Sequence, residues 1–123
     1  MKRAVPIAAS ALLVLALAGA VDAANPNRSY QLTVCWTGSQ VTLEQTWSAF
    51  NVDEVAFGIG NGSEGLGVQY PIPRSRSGDE TATLSPAGGS TIAGGTLFFH
   101  GKVVVEDTIT IPEGGWSALP ACP

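Results

Sequence analysis

Six residues, Gly60-Asn61-Gly62-Ser63-Glu64-Gly65, match the G-x-G-x-x-G pattern that seats a dinucleotide pyrophosphate. That chemistry needs a helix opening directly behind the last glycine, so that its N-terminus meets the phosphates. Behind Gly65 the chain instead runs "LGVQYPIP", with two prolines and no helical period. The match therefore carries no nucleotide chemistry. His100 is the only histidine, which excludes a histidine-based metal cluster, and its neighbour Gly101 marks it as a turn residue. Adjacent carboxylates stand at Asp53-Glu54, Asp79-Glu80 and Glu106-Asp107. Neighbours on a strand point to opposite faces, so none of these pairs is a ready-made chelate. The EF-hand spacing is missing too. No catalytic constellation, metal set or cofactor is expected, and the chain reads as non-catalytic.

The cysteines carry the clearest chemistry. The chain opens with Lys2 and Arg3, continues through an Ala/Leu/Val-rich run to Val21, and leaves it through "VDAAN". This is the pattern of a cleaved secretory signal, with the cut near Ala23 or Ala24. A membrane anchor is the rival reading of residues 4–21, and Pro6 and the small-residue exit argue against it. Residues 1–24 are thus read as leader and 25–123 as one domain, secreted or extracytoplasmic, with no membrane span after cleavage. In such a compartment the only two cysteines, Cys35 and Cys122, are expected to form a disulfide.

Composition narrows the partners. The whole chain has a formal net charge of −4. Without its leader it keeps four cations, Arg28, Arg74, Arg76 and Lys102, against nine carboxylates. Such a balance repels phosphate backbones, so nucleic acid is not an expected partner. "NRS" at Asn27 and "NGS" at Asn61 match the N-glycosylation acceptor.

The elements that must position these residues read as strands. "YQLTVCW" and "VTLEQTW" alternate apolar and polar residues around "TGSQ". A two-residue turn at Gly38-Ser39 sets Trp36 against Val41, Val34 against Leu43, Leu32 against Gln45 and Tyr30 against Trp47. Cys35 then falls opposite Thr42 on the outer side, and the C-terminal tail is expected to cross that face to reach it. A bulge near Thr37 that turns the thiol inward is the competing account. A second hairpin is expected around Asn61-Gly62, with Ile59 facing Glu64, Phe57 facing Leu66 and Val55 facing Val68. Its bulk lies on one side. The other side, Ala56, Gly58, Gly60, Gly65 and Gly67, is nearly bare.

Pro71 and Pro73 are expected to end that ladder or to put it at a sheet edge, and "PIPRSRSGDE" reads as a polar loop presenting Arg74 and Arg76. Phe98, Phe99 and Val103–Val105 read as strand residues buried on both faces, with His100-Gly101 as a tight turn or as a bulge in a longer strand. Trp36 and Trp47 fall on the apolar side. Trp116, in "PEGGWSAL", is either exposed or covers the end of the fold.

Seven to eight short strands with Gly/Pro/Asn punctuation predict an all-β fold, an antiparallel β-sandwich with a small β-barrel as alternative. The arrangement resembles the immunoglobulin-like architecture in class only. An immunoglobulin domain hides its disulfide between the sheets, and here the thiol projects outward. The functional expectation is an extracellular or cell-surface interaction or structural module that contacts a protein or glycan. Its candidate binding face is the bare strip from Ala56 to Gly67, and Arg74, Arg76 and Trp116 are candidate exposed residues. A small secreted protease inhibitor or ligand carrier using the 71–80 loop is the alternative, and an enzyme of unknown class comes third.

Overall fold

The computed structural model describes residues 28–61, 65–86 and 90–123. The expected leader, the sequon asparagine Asn27 and the turn residue Gly62 lie outside the described residues. Among those described, no helix is long and apolar enough to cross a membrane.

Five strands form one antiparallel sheet: β1 Ser29–Trp36, β2 Val41–Gly60, β3 Gly65–Leu84, β4 Ile92–Phe99 and β5 Lys102–Thr110. Their order is β1-β2-β4-β5, with β3 paired to β2. Strands β1 and β4 share one edge of β2, β1 along Val41–Ser48 and β4 along Glu54–Gly60, while β3 follows the other edge. β2 bends between these halves, so the sheet curls into a half-barrel around one core. The all-β class is as expected. The count of seven to eight strands is corrected to five, because two strands of twenty residues each replace several short ones.

The bend has a local cause. Between Ser48 and Val52, β2 advances four positions while β3 advances two, from Ser77 to Ser75. From Val52 to Glu54 the imbalance reverses, with β3 running from Ser75 to Pro71. Paired bulges of this kind kink both strands. Ala49 takes φ 73° there, a left-handed conformation that an L residue adopts at a cost of about 1–2 kcal/mol.

Curling brings the apolar faces of the two halves together. Val41, Leu43 and Trp47 meet Val55, Phe57, Ile59 and Leu97, with Tyr30, Leu32 and Val34 from β1. Full burial of each large side chain contributes roughly 1.5–3 kcal/mol. Polar residues are buried with them, Gln45 most completely. Gln45 is fully buried; its Nε2 donates to the Ala56 carbonyl at 2.9 Å, and its Oε1 accepts from the Tyr30 hydroxyl at 2.7 Å. Both ends of the amide are thereby satisfied, and the bond to Ala56 ties one half of β2 to the other.

The first hairpin has the expected register throughout, and the turn closes with Thr37 N donating to the Gln40 carbonyl at 2.9 Å. The second differs. Ile59 pairs with Leu66, Phe57 with Val68 and Gly58 with Gly67, so the connection spans residues 61–64 and the register moves by two. Residues 71–80 are corrected from loop to strand. β3 is an edge strand, so the missing N–H groups of Pro71 and Pro73 need break no ladder bond. Val103, expected to be buried, is 55% exposed because β5 is also an edge.

Cys35 and Cys122 are bonded, with Cα atoms 4.9 Å apart. The tail reaches Cys35 along the free edge of β1 instead of crossing its face. Trp36 N donates to the Pro120 carbonyl at 2.8 Å, and Cys122 N donates to the Trp36 carbonyl at 2.9 Å, a parallel bridge. No bulge rotates the thiol inward, since Cys35 pairs with Thr42. Leu119 enters the core and Trp116 packs against it, so the tail covers that end of the fold.

Candidate functional site

The bend gathers the positive charge of the described residues. Arg74 lies in the stretch where β3 carries extra residues, and its Nε donates to Asn51 Oδ1 at 3.4 Å. Arg76 stands opposite the extra residues of β2, and its Nη2 donates to the Ala49 carbonyl at 3.4 Å. Both bonds are long, so the two guanidiniums are loosely held. Arg28, just ahead of β1, sits over the Phe50 ring at 5.1 Å.

A second element meets these arginines. Phe99 and Lys102 close β4 onto β5 around a two-residue turn, His100 at φ 52° and Gly101 at φ 77°. Positive φ at both positions is what a type I′ hairpin requires, in keeping with the tight turn expected at His-Gly. The turn folds back on the bend, where His100 N donates to Asp53 Oδ2 at 3.3 Å. Arg74 lies over Phe99 at 5.4 Å, and the His100 ring stands 4.0 Å from that of Phe99. The four cations among the described residues, Arg28, Arg74, Arg76 and Lys102, thus collect around β2 residues 49–53 and the β4–β5 turn.

What those cations touch decides what they can do. Arg74 rests on an amide oxygen and a ring, and Arg76 on a backbone carbonyl, all neutral. A guanidinium presents five donors in a planar fork matched to carboxylate, phosphate or sulfate oxygens. Both side chains are on exposed residues and keep their charge available.

An open depression of about 420 Å³ adjoins this end, lined by Ser29, Tyr30, Gln31, Thr46 and Trp47. Ser29 pairs with Ser48, one residue ahead of the Ala49 whose carbonyl holds Arg76. The depression's polar lining, Ser29, Gln31 and Thr46, therefore lies toward the same end of the β1–β2 pairing as the bend, while the buried Tyr30 and Trp47 turn their rings into the core. Neither the alternation pattern nor any motif pointed to this juxtaposition; the clue that existed was the scarcity of cations, with two of them spaced i, i+2.

The other expected residues separate from this end. Ala56, Gly58, Gly60 and Gly67 are buried and Gly65 half-buried, on the sheet face away from the core. Gly94 joins Gly58 and Gly67 in one row, and the Gln69–Glu54 hydrogen bond at 2.9 Å runs beside Ala56. The bare strip is therefore not an open plate. Trp116 is half-buried in the 3₁₀ turn Trp116–Ala118. Among the described residues no group of three His, Cys, Asp or Glu side chains could hold a metal ion.

Strand pairing creates one carboxylate contact that adjacency in sequence does not show. Glu44 and Asp79 share the outer face of β2 and β3, and a hydrogen bond with Asp79 is the main cause holding the Glu44 carboxyl above its ordinary range. Compared with known proteins, the chain matches no protein-family model, no curated protein and no solved structure.

Proposed function

We propose that the chain is an exported, non-catalytic interaction module that contacts its partner through the cationic end of the sheet. The observation carrying this reading is that Arg74 and Arg76 sit on exposed edge-strand positions and, among the described residues, are held by neutral groups alone. Export is supported by the leader pattern and by the Cys35–Cys122 bond, which suits an oxidising compartment. The disulfide and the paired tail stiffen the far end of β1, leaving the bend as the end where charge is presented.

The protease-inhibitor alternative required an exposed loop at 71–80. Those residues belong to a strand whose arginines lean back on β2, so that alternative gains no support.

Retention of the exported, disulfide-intact protein on the envelope of the producing cells tests the reading. Arg74→Gln together with Arg76→Gln should abolish salt-sensitive retention while leaving the fold unchanged. Undiminished retention of the double variant removes the cationic end from the contact.

A further inference from the structure

We infer that the partner at the cationic end is a second copy of this chain, with Arg74 and Arg76 of one copy seated on the Glu44–Asp79 carboxylates of the next. This rests on the interaction-module reading above and names the partner.

Three observations converge. The first is an acidic counterpart to the cationic end. Strand pairing sets Glu44 opposite Thr81 and Asp79 opposite Thr46, so both carboxyls stand on the outer face of β2 and β3. Asp79 is exposed and Glu44 half-buried, and the two lie within hydrogen-bonding reach of each other. Among the described residues neither meets a cation. A guanidinium fork, with donors for two carboxylates at once, is the group that relieves such a pair.

The second observation is room. The depression of about 420 Å³ opens beside Asp79, because its lining residues Gln31 and Thr46 share one cross-strand row with that carboxylate. Their amide and hydroxyl oxygens add acceptors for the incoming donors.

The third observation is that the two patches cannot meet within one copy. Gly78 pairs with the core residue Trp47, so alternation along β3 puts Arg76 on the Gly78 side and Asp79 on the other. Arg76 bonds instead to the neutral Ala49 carbonyl. Opposite placement also excludes a two-fold pair, in which both patches would have to lie on one side. The contact is therefore head-to-tail, and a copy that receives one arginine pair presents its own to a further copy. Pairing of two β3 edges offers no substitute. Ser75 Oγ accepts from Ser77 N at 3.3 Å and donates to the Ser77 carbonyl, and Pro71 and Pro73 lack N–H groups.

Sedimentation of the exported, disulfide-intact protein at up to about 1 mM, where even a millimolar contact populates assemblies, tests the inference. The native chain should form species larger than two copies as its concentration rises. Arg74→Gln with Arg76→Gln should stay monomeric, and so should Glu44→Gln with Asp79→Asn, each with an unchanged circular dichroism spectrum. Mixing these two variants leaves one intact contact, arginines from the second and carboxylates from the first. The mixture should therefore form complexes of two chains and no larger. Arg76→Gln or Asp79→Asn alone should weaken association on the order of tenfold. A native chain that stays monomeric at about 1 mM, self-association by either double variant, or a mixture that fails to pair or grows beyond two chains overturns the inference. Envelope retention that still depends on the arginines would then leave the interaction reading standing with another partner; retention independent of them would remove both.

Discussion

Gln45 fills the space that a side chain on Gly95 would need. A β-carbon built on Gly95 would stand 2.5 Å from Gln45 Cδ and 2.8 Å from both Nε2 and Oε1. Gly95 of β4 pairs with Phe57 of β2, so its lack of a side chain is what lets the buried amide cross the core to Ala56. Gly95→Ala should therefore displace Gln45 and break both of its hydrogen bonds, at a cost of about 2–4 kcal/mol. Urea unfolding measures the loss. In the double variant Gly95→Ala/Gln45→Ala the two costs should sum to less than the separate values, because the same contact is removed twice. Strict additivity would show that the two residues do not share the site.

The Cys35–Cys122 bond closes a loop of sequence separation 87. On the chain-entropy account a loop of that length stabilises by about 4–5 kcal/mol, largely by restricting the unfolded chain. Outside the disulfide the tail is held by two backbone bonds to Trp36 and by Leu119 in the core. Replacing both cysteines with serine should lower the unfolding free energy by about 4 kcal/mol and free the tail to exchange its amide protons with solvent. Hydrogen exchange at Trp36 and Cys122, in the native protein and in the reduced one, checks the release of the tail. Unchanged protection after reduction would mean that the bridge to Ala121 stands without the bond.

Where strands pair by alternation, the sequence was readable. The outward placement of Cys35 followed from Tyr30, Leu32, Val34 and Trp36 facing Trp47, Gln45, Leu43 and Val41, and the structure keeps each of these pairs. The second hairpin shows the limit of the same reasoning. Sliding its register by two returns every side chain to its original face, so bulk on Val55, Phe57 and Ile59 cannot tell a two-residue turn from a longer connection. The bend was hidden for another reason: Ala49 holds a left-handed conformation without being glycine, and nothing in "SAFN" announces it. The cationic end depends on that bend, and on a β4–β5 turn reaching back to Asp53 across 47 positions. Such a juxtaposition is a product of tertiary closure, which local pattern does not encode.

Glu44 and Asp79 meet across β2 and β3, where Asp79 favours the protonated form of Glu44. Hydrogen bonding to Asp79, then desolvation, then the Asp79 charge raise the Glu44 pKa, and Thr33 opposes this with a weak bond at 3.5 Å. A raised pKa in the folded state contributes stability that is present below the unfolded value and lost as pH rises through the folded one. Glu44→Gln removes the carboxylate that Asp79 disfavours, so it should raise the melting temperature at pH 7, and the gain should fade as acid protonates Glu44. Added salt should shrink the gain as well, because the pair is largely exposed to screening ions. Thermal scans of both proteins across pH 3–8 decide it; a gain that persists at low pH would assign it to something other than the ionised Glu44.

The two tyrosines are held protonated by different surroundings. Burial is the main cause for Tyr30, followed by the negative charges of Asp107 and Glu106. Burial also leads for Tyr70, followed by the hydrogen bond its hydroxyl donates to Glu80 Oε1 at 2.9 Å and by the charge of that carboxylate. Both folded-state values lie above the ordinary one near 10. The folded protein therefore keeps protons that the unfolded chain releases, so stability should hold steady up to about pH 9 and fall as pH rises above about 10. Since these are the only tyrosines, tyrosinate absorbance near 295 nm reports both directly. It should stay flat through pH 10 and then rise together with the loss of the β-sheet circular dichroism signal. Tyr30→Phe should cost about 1–2 kcal/mol at neutral pH, because it leaves Gln45 Oε1 buried without its donor. A simple titration centred on pH 10 with the sheet signal intact would show both hydroxyls open to water, and would remove the Tyr30–Gln45–Ala56 link from the core.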